Sequence, residues 1–162
     1  MPYALLALVL VILDQVVKYL VLTHIPLGGY VPFLPHVVCL TYVQNTGAAF
    51  SMFSQHTWIL AFISLVMSVV LAVALWKNFF THPLGKVTLS LLLAGAVGNL
   101  IDRAMRGFVV DMFQLLFMNF AVFNVADICV VVGGIAAAAY YLLLADKLDH
   151  KEAPHGTADA DR

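Results

Sequence analysis

Residues 98–127 read GNLIDRAMRGFVVDMFQLLFMNFAVFNVAD, and they hold Asp102, Asp111 and Asp127 together with Asn99 and Asn124 inside an otherwise greasy chain. Of the 9 acidic residues, Asp146, Asp149, Glu152, Asp159 and Asp161 fall in a polar C-terminal stretch, so the body keeps only Asp14, Asp102, Asp111 and Asp127. A carboxylate near the middle of a bilayer costs about 2.5–3.5 kcal/mol even on the lenient insertion scale. Packing alone does not explain such groups, which makes them the first candidates for chemistry.

That they face a bilayer at all follows from composition. A chain of 162 residues has room for one compact domain, and at 63% hydrophobic and 10% charged it lies outside the soluble range, with a mean hydropathy of +0.98. The expectation is an all-α polytopic membrane protein built as a four-transmembrane-helix bundle, with one integral domain over residues 1–145 and a disordered cytoplasmic tail over 146–162. The net charge of -1 and the dispersed Lys and Arg residues leave no basic surface for nucleic acid. Cys39 and Cys129 do not form a metal motif, and His24, His36 and His56 share no ligand spacing, so no metal is expected.

Residues 3–22 are long enough to span about 30 Å at about 1.5 Å per residue, interrupted only by Asp14, Gln15 and Lys18. No basic residue precedes Lys18 and no small-residue cleavage site follows the run, so a retained span is expected, not a cleaved leader. Pro26, Gly28, Gly29, Pro32 and Pro35 then precede a β-branched and aromatic run over 37–43, which predicts a small extracytoplasmic sheet. Uncharged throughout, this loop suits a surface resting on the bilayer. Trp58 and Trp76 bracket a second span, and Lys77, His82, Pro83 and Lys86 mark a polar turn before a third over 87–101. The loop that follows is rich in Phe and Met, and its run over 113–120 predicts an interfacial helix lying on the membrane. A fourth span covers 122–145, where Gly133, Gly134 and four alanines offer a smooth packing face.

Four spans put both termini on one side. Taking that side as cytoplasmic leaves Lys77, Lys86, Lys147, Lys151 and Arg162 inside, against Lys18, Arg103 and Arg106 outside, as the positive-inside bias favours. Under this orientation Asp14, Lys18, Asn45, Asn99, Asp102, Arg103, Asp111, Asn124 and Asp127 converge near the outer face at one depth. A proton or cation transporter would instead set acids at several depths, and the inner halves of the spans carry none. A non-catalytic assembly factor is the other alternative, and it predicts that Asp111→Asn is harmless.

Two carboxylates brought together where water is scarce do not both ionise, so one keeps its proton while the other acts as a base. Such a pair activates one water for attack on a peptide carbonyl. Asp111 and Asp127 are the candidates, since a loop and a helix start between them let them face each other. Asp102 reads as an ion-pair partner of its neighbour Arg103, and Asp14 with Lys18 at i and i+4 as a mutual salt bridge. Structural alternatives stand for the rest: Asn99 and Asn124 as helix-joining hydrogen bonders, Arg103 as a cation reaching for the interface. A Ser51–Lys18 dyad has no sequence feature that joins its members, and Ser51 is read as bonding its own loop.

Taken in order, Asp14-Gln15-x-x-Lys18, Asn45-Thr46-Gly47-Ala48-Ala49-Phe50-Ser51, Gly98-Asn99-x-x-Asp102-Arg103, Val109-Val110-Asp111 and Phe123-Asn124-x-Ala126-Asp127 resemble the motifs of the bacterial lipoprotein signal peptidases, also called signal peptidase II. The resemblance runs from about residue 14 to about residue 130. It implies an aspartic endopeptidase of the bacterial cytoplasmic membrane that cuts diacylglyceryl-modified prolipoproteins just before the lipidated cysteine, without a cofactor and as a monomer in contact with lipid. It implies Asp111 and Asp127 as the catalytic pair, and Asn45, Asn99, Arg103 and Asn124 as residues that line the site. Asp14, Lys18, Asp102, Gly47 and Gly98 are implied as structural support. Ile128 and a short loop over 112–122 depart from the family pattern, and both bear on how the site is covered.

Overall fold

The computed structural model describes residues 2–47 and 57–143. In chain order it contains α1 (Pro2–His24), β1 (Tyr30–Leu34), β2 (Val38–Asn45), α2 (Thr57–Trp76), α3 (Pro83–Arg106), β3 (Val109–Leu115) and α4 (Val125–Leu143). All four helices are long and apolar enough to cross a membrane. The chain is a polytopic membrane protein with a small antiparallel sheet. Phe50 and Ser51 of the second motif, and the tail expected over 146–162, lie outside the described residues.

The helices are turned inside out relative to those of a soluble bundle. In α1 the buried residues Ala7, Asp14, Lys18 and Val21 follow at intervals of seven, four and three, the spacing of one helical stripe. Leu8, Val9, Ile12, Leu13 and Val16 face outward instead. Lipid is as apolar as these side chains, so their burial against protein gains little; the charged stripe is what the bundle must cover. At the centre is α3, which packs on α1, α2 and α4 and carries the longest buried face. It begins with Pro83 behind His82, whose Nδ1 accepts from Leu84 N at 3.3 Å, and it ends at Gly107, a left-handed residue with φ 77° whose N–H donates to Arg103 O. The helix is thus longer at both ends than the 87–101 span expected.

The sheet runs in the order β1-β2-β3 with both pairs antiparallel, and β2 meets β3 through Asn45↔Val109, Val43↔Asp111 and Cys39↔Gln114. Because β2 lies in the α1–α2 connection and β3 in the α3–α4 connection, their pairing brings both connections to one end of the bundle. A cluster of Val21, Ile25, Tyr42, Val110 and Met112 seats the sheet on the end of α1. At the opposite end Leu71, Phe80, Leu89 and Tyr140 close the helices together.

The interfacial helix expected over 113–120 is not formed. Residues 113–115 belong to β3, and Phe113 continues the pairing with an isolated bridge to Phe123. The backbone groups that an interfacial helix would satisfy internally are taken up by β2 on one side and by Phe123 on the other, and tertiary pairing of this kind overrides local pattern.

Candidate active site

Asp111 and Asp127 reach the same place from different elements. β3 carries Asp111, 1% exposed, while Asp127 sits in the first turn of α4. Asn124 stands just ahead of α4, and the two residues form a reciprocal cap: Asp127 N–H donates to Asn124 Oδ1 at 2.9 Å, and Asn124 N–H donates to Asp127 Oδ2 at 3.1 Å. The same Asn124 side chain donates from Nδ2 to Asp111 Oδ1 at 2.7 Å, so a single fully buried amide connects the two acids. The remaining oxygens are matched as well. Asn45 Nδ2 donates to Asp111 Oδ2 at 2.9 Å, and Asn99 Nδ2 donates to Asp127 Oδ1 at 2.8 Å. Burial first, and then the neighbouring Asp127 charge, push the Asp111 carboxyl up to about 6 despite the two amides that favour its ionised form.

Below the acids lies a buried ionic cluster. Lys18 Nζ is 2.9 Å from Asp14 Oδ2, 3.0 Å from Asp102 Oδ2 and 3.0 Å from Asn99 Oδ1, which engages all three ammonium protons at a position of zero exposure. The expected Asp14–Lys18 pair is therefore present. Asp102 differs from expectation, because its cationic partners are Lys18 and Arg106, not Arg103. Adjacent helical residues point about 100° apart, whereas Arg106 at i+4 lies on the Asp102 face. Gly98 is required by close approach: a Cβ there would fall 2.7 Å from Asp14 Oδ2 and 3.1 Å from Ala126 Cβ.

Asn45, Asn99, Arg103, Asp111 and Asp127 all line one cavity of about 440 Å³, whose other walls are apolar and come from β3, from the β3–α4 connection and from α4. Ile128, the departure from the family pattern, is one of those walls. A second groove of about 340 Å³ shares Asn45 and Asp111 and adds Gly47 and Gln44, so the acids are approached from two directions. Gly47 N–H donates to Asn45 Oδ1 at 3.0 Å and steadies that amide. Among the described residues Arg103 makes only long contacts, to Ser64 Oγ at 3.4 Å and Gly47 O at 3.5 Å, and its buried Nε has no partner there. Asn124, Asp14, Lys18, Asp102 and Gly98 stand behind the cavity, not on its surface. Sequence reasoning missed three residues. Gln15 donates from Nε2 to Asp14, Gly98 O and Asp102; Arg106 pairs with Asp102; Ser64 meets Arg103. The i,i+4 spacing could have found Arg106, whereas nothing local marks Ser64.

The family model for signal peptidase (SPase) II matches residues 6–143, a span that takes in every residue of the cavity. The chain belongs to the signal peptidase II family. A lipoprotein signal peptidase of Enterococcus faecalis is 44% identical over 96% of this chain and 95% of its own length. One from Streptococcus pneumoniae is 46% identical over 80% of this chain and 85% of that protein. A solved structure described as a bacterial membrane enzyme studied by the in meso method at 2.3 Å superposes with a TM-score of 0.81 at 32% identity, covering 94% of this chain and 93% of that one. As a signal peptidase II the chain is a peptidase, and its membrane-embedded helices and sheet are those of a known membrane enzyme fold.

Proposed function

We propose that this signal peptidase II is an aspartic endopeptidase that removes the signal peptide from diacylglyceryl-modified prolipoproteins by cutting before the lipidated cysteine. The observation that carries this reading is the convergence of Asp111 and Asp127 on one largely apolar cavity, linked through Asn124. Asp127 lies in the first turn of α4, where the helix dipole favours negative charge, so it serves as the base. Asp111, with its raised proton affinity, holds the shared proton. Asp127 takes a proton from the water as that water attacks the scissile carbonyl and Asp111 donates to the developing oxyanion; as the C–N bond breaks, Asp127 passes its proton to the departing amine and the gem-diol hydroxyl returns a proton to Asp111. Asn45, Asn99 and Arg103, each on the cavity surface with hydrogen-bonding capacity, hold the substrate backbone.

The substrate's acyl chains stay in the bilayer, which requires the scissile bond to be cut at the membrane surface. An apolar cavity beside the acids, open along exposed residues of α4 such as Val131, suits that requirement. We place the site near the outer face of a bacterial cytoplasmic membrane, with both termini cytoplasmic, on the Lys and Arg distribution. Residues 1–145 act as one catalytic domain and as a monomer in contact with lipid.

The test is a gel-shift assay of purified protein in detergent on a lipidated prolipoprotein. Wild type converts the precursor, and Asp111→Asn and Asp127→Asn each lose at least ~100-fold, the scale of a lost general acid or base. Cleavage at the normal rate by either variant would refute the assignment. Capture of the substrate by inactive Asp111→Asn protein would further support the substrate class.

A further inference from the structure

Among the described residues Lys18 is the largest side chain with essentially no exposure, and the proposed chemistry does not use it. Each of its three protons goes to a group that touches the machinery of one acid. Asp14 accepts from Lys18 through Oδ2, and its Oδ1 accepts from the backbone N–H of Ala126 at 2.9 Å, the residue just ahead of Asp127. Asp102 accepts from Lys18 through Oδ2, and the same oxygen accepts from the backbone N–H of Val110 at 3.0 Å, the residue just ahead of Asp111. Both acids therefore follow a peptide clamped by a buried carboxylate, and one ammonium joins the two clamps. Asn99 is the third acceptor. With its Oδ1 committed to Lys18 and to Asn124 Nδ2, its Nδ2 must face Asp127 Oδ1.

We propose that Lys18 is a positioning residue for the aspartate pair: it fixes the Asn99 amide as a donor to Asp127 and ties together the two clamps that set the backbone ahead of Asp111 and Asp127. A salt bridge serving only to neutralise Asp14 during insertion would need one contact, at i+4. The contacts to Asp102 and Asn99 on α3 exceed that need, and all three lead to the cavity. An amide donor on a carboxylate favours its ionised form, so Lys18 acts through Asn99 to keep Asp127 a base. The charged groups facing Asp127 are Asp111 from β3, Arg103 from α3, and Asp14 and Lys18 from α1.

The inference rests on the aspartate-pair reading, and the experiment separates the two. Removing Lys18 alone leaves Asp14 and Asp102 buried without their shared cation, which is strongly destabilising. Lys18→Met combined with Asp14→Asn removes one charge of each sign, leaves Asp102 its Arg106 partner, and retains an Asn oxygen to accept from Ala126 N–H. In detergent with lipidated prolipoprotein, this double variant is expected to lose at least tenfold in kcat with KM within twofold, and to show the acid limb of its pH–kcat profile displaced to higher pH. A folded double variant with the wild-type kcat and limb overturns the proposal. Asn99→Ala, which leaves the Lys18–Asp14–Asp102 cluster whole, gives a second reading that does not depend on the double variant folding. It is expected to reproduce the limb displacement while both Lys18 ion pairs stay in place, and an undisplaced limb overturns the proposal. Asp111→Asn and Asp127→Asn run in parallel: activity in either refutes the aspartate pair itself, a result distinct from inactive aspartate variants beside an unaffected Lys18 double variant.

Discussion

Asp111 carries the most informative balance of forces at the level of single residues. Burial raises its proton affinity, the Asp127 charge raises it further, and the amides of Asn45 and Asn124 oppose both. If the acid partner must hold a proton, activity falls as pH rises through about 6, the value to which Asp111 is raised. Asn45→Ala removes a donor that favours the charged form, so the alkaline limb of kcat/KM should move to higher pH; an unmoved or lowered limb contradicts this origin of the shift. Stability has its own sign. A carboxyl whose folded pKa exceeds its unfolded value binds its proton more tightly when folded, so folding loses free energy as pH rises from about 4 towards about 6 and stays lower above that. Asp111→Asn abolishes this loss, so between about pH 4 and about pH 8 its Tm should fall less than that of wild type. The identities of these residues were visible in sequence, because a carboxylate in a greasy chain needs a reason. Their partners were less so: Asp102 was paired by adjacency with Arg103, whereas side-chain direction on a helix gives it Arg106 and, from another element, Lys18.

Among the elements, α3 decides whether the site assembles. Its Gly98 lets Asp14 of α1 and Ala126 of α4 come within contact of one backbone position. Gly98→Ala places a methyl 2.7 Å from Asp14 Oδ2, and the resulting overpacking should cost about 1–3 kcal/mol and reduce cleavage by displacing both acids' anchors. Gly134→Ala, at a position with nothing within 4 Å, is the matched control and should leave cleavage intact; equal effects of the two in thermal unfolding and activity would show that close approach is not what Gly98 provides. The four spans were legible because about twenty consecutive apolar residues permit little else. β2 was legible from its β-branched run. β3 was not: residues 109–115 alternate too weakly to distinguish a strand from an interfacial helix, and the deciding partner, Asn45↔Val109 through Cys39↔Gln114, lies some seventy positions away.

For the molecule as a whole, the consequence of the topology is that the sheet at the bundle end sets Asp111 of β3 beside the first turn of α4, where Asp127 lines the same cavity. The sequence led to the expectation of one depth for the polar blocks, but it did not contain the sharing of Asn124 between Asp111 and Asp127 or the three-way hold of Lys18, since both are set by distances between elements. A pair that works over a single water is one functional unit, and losses within such a unit do not add. The most direct test is a double-mutant cycle in single-turnover cleavage of lipidated prolipoprotein, comparing Asp111→Asn, Asp127→Asn and the combined variant. The account predicts that the combined variant is no slower than the slower single variant, whereas losses that multiply would show two independent groups and contradict the shared site.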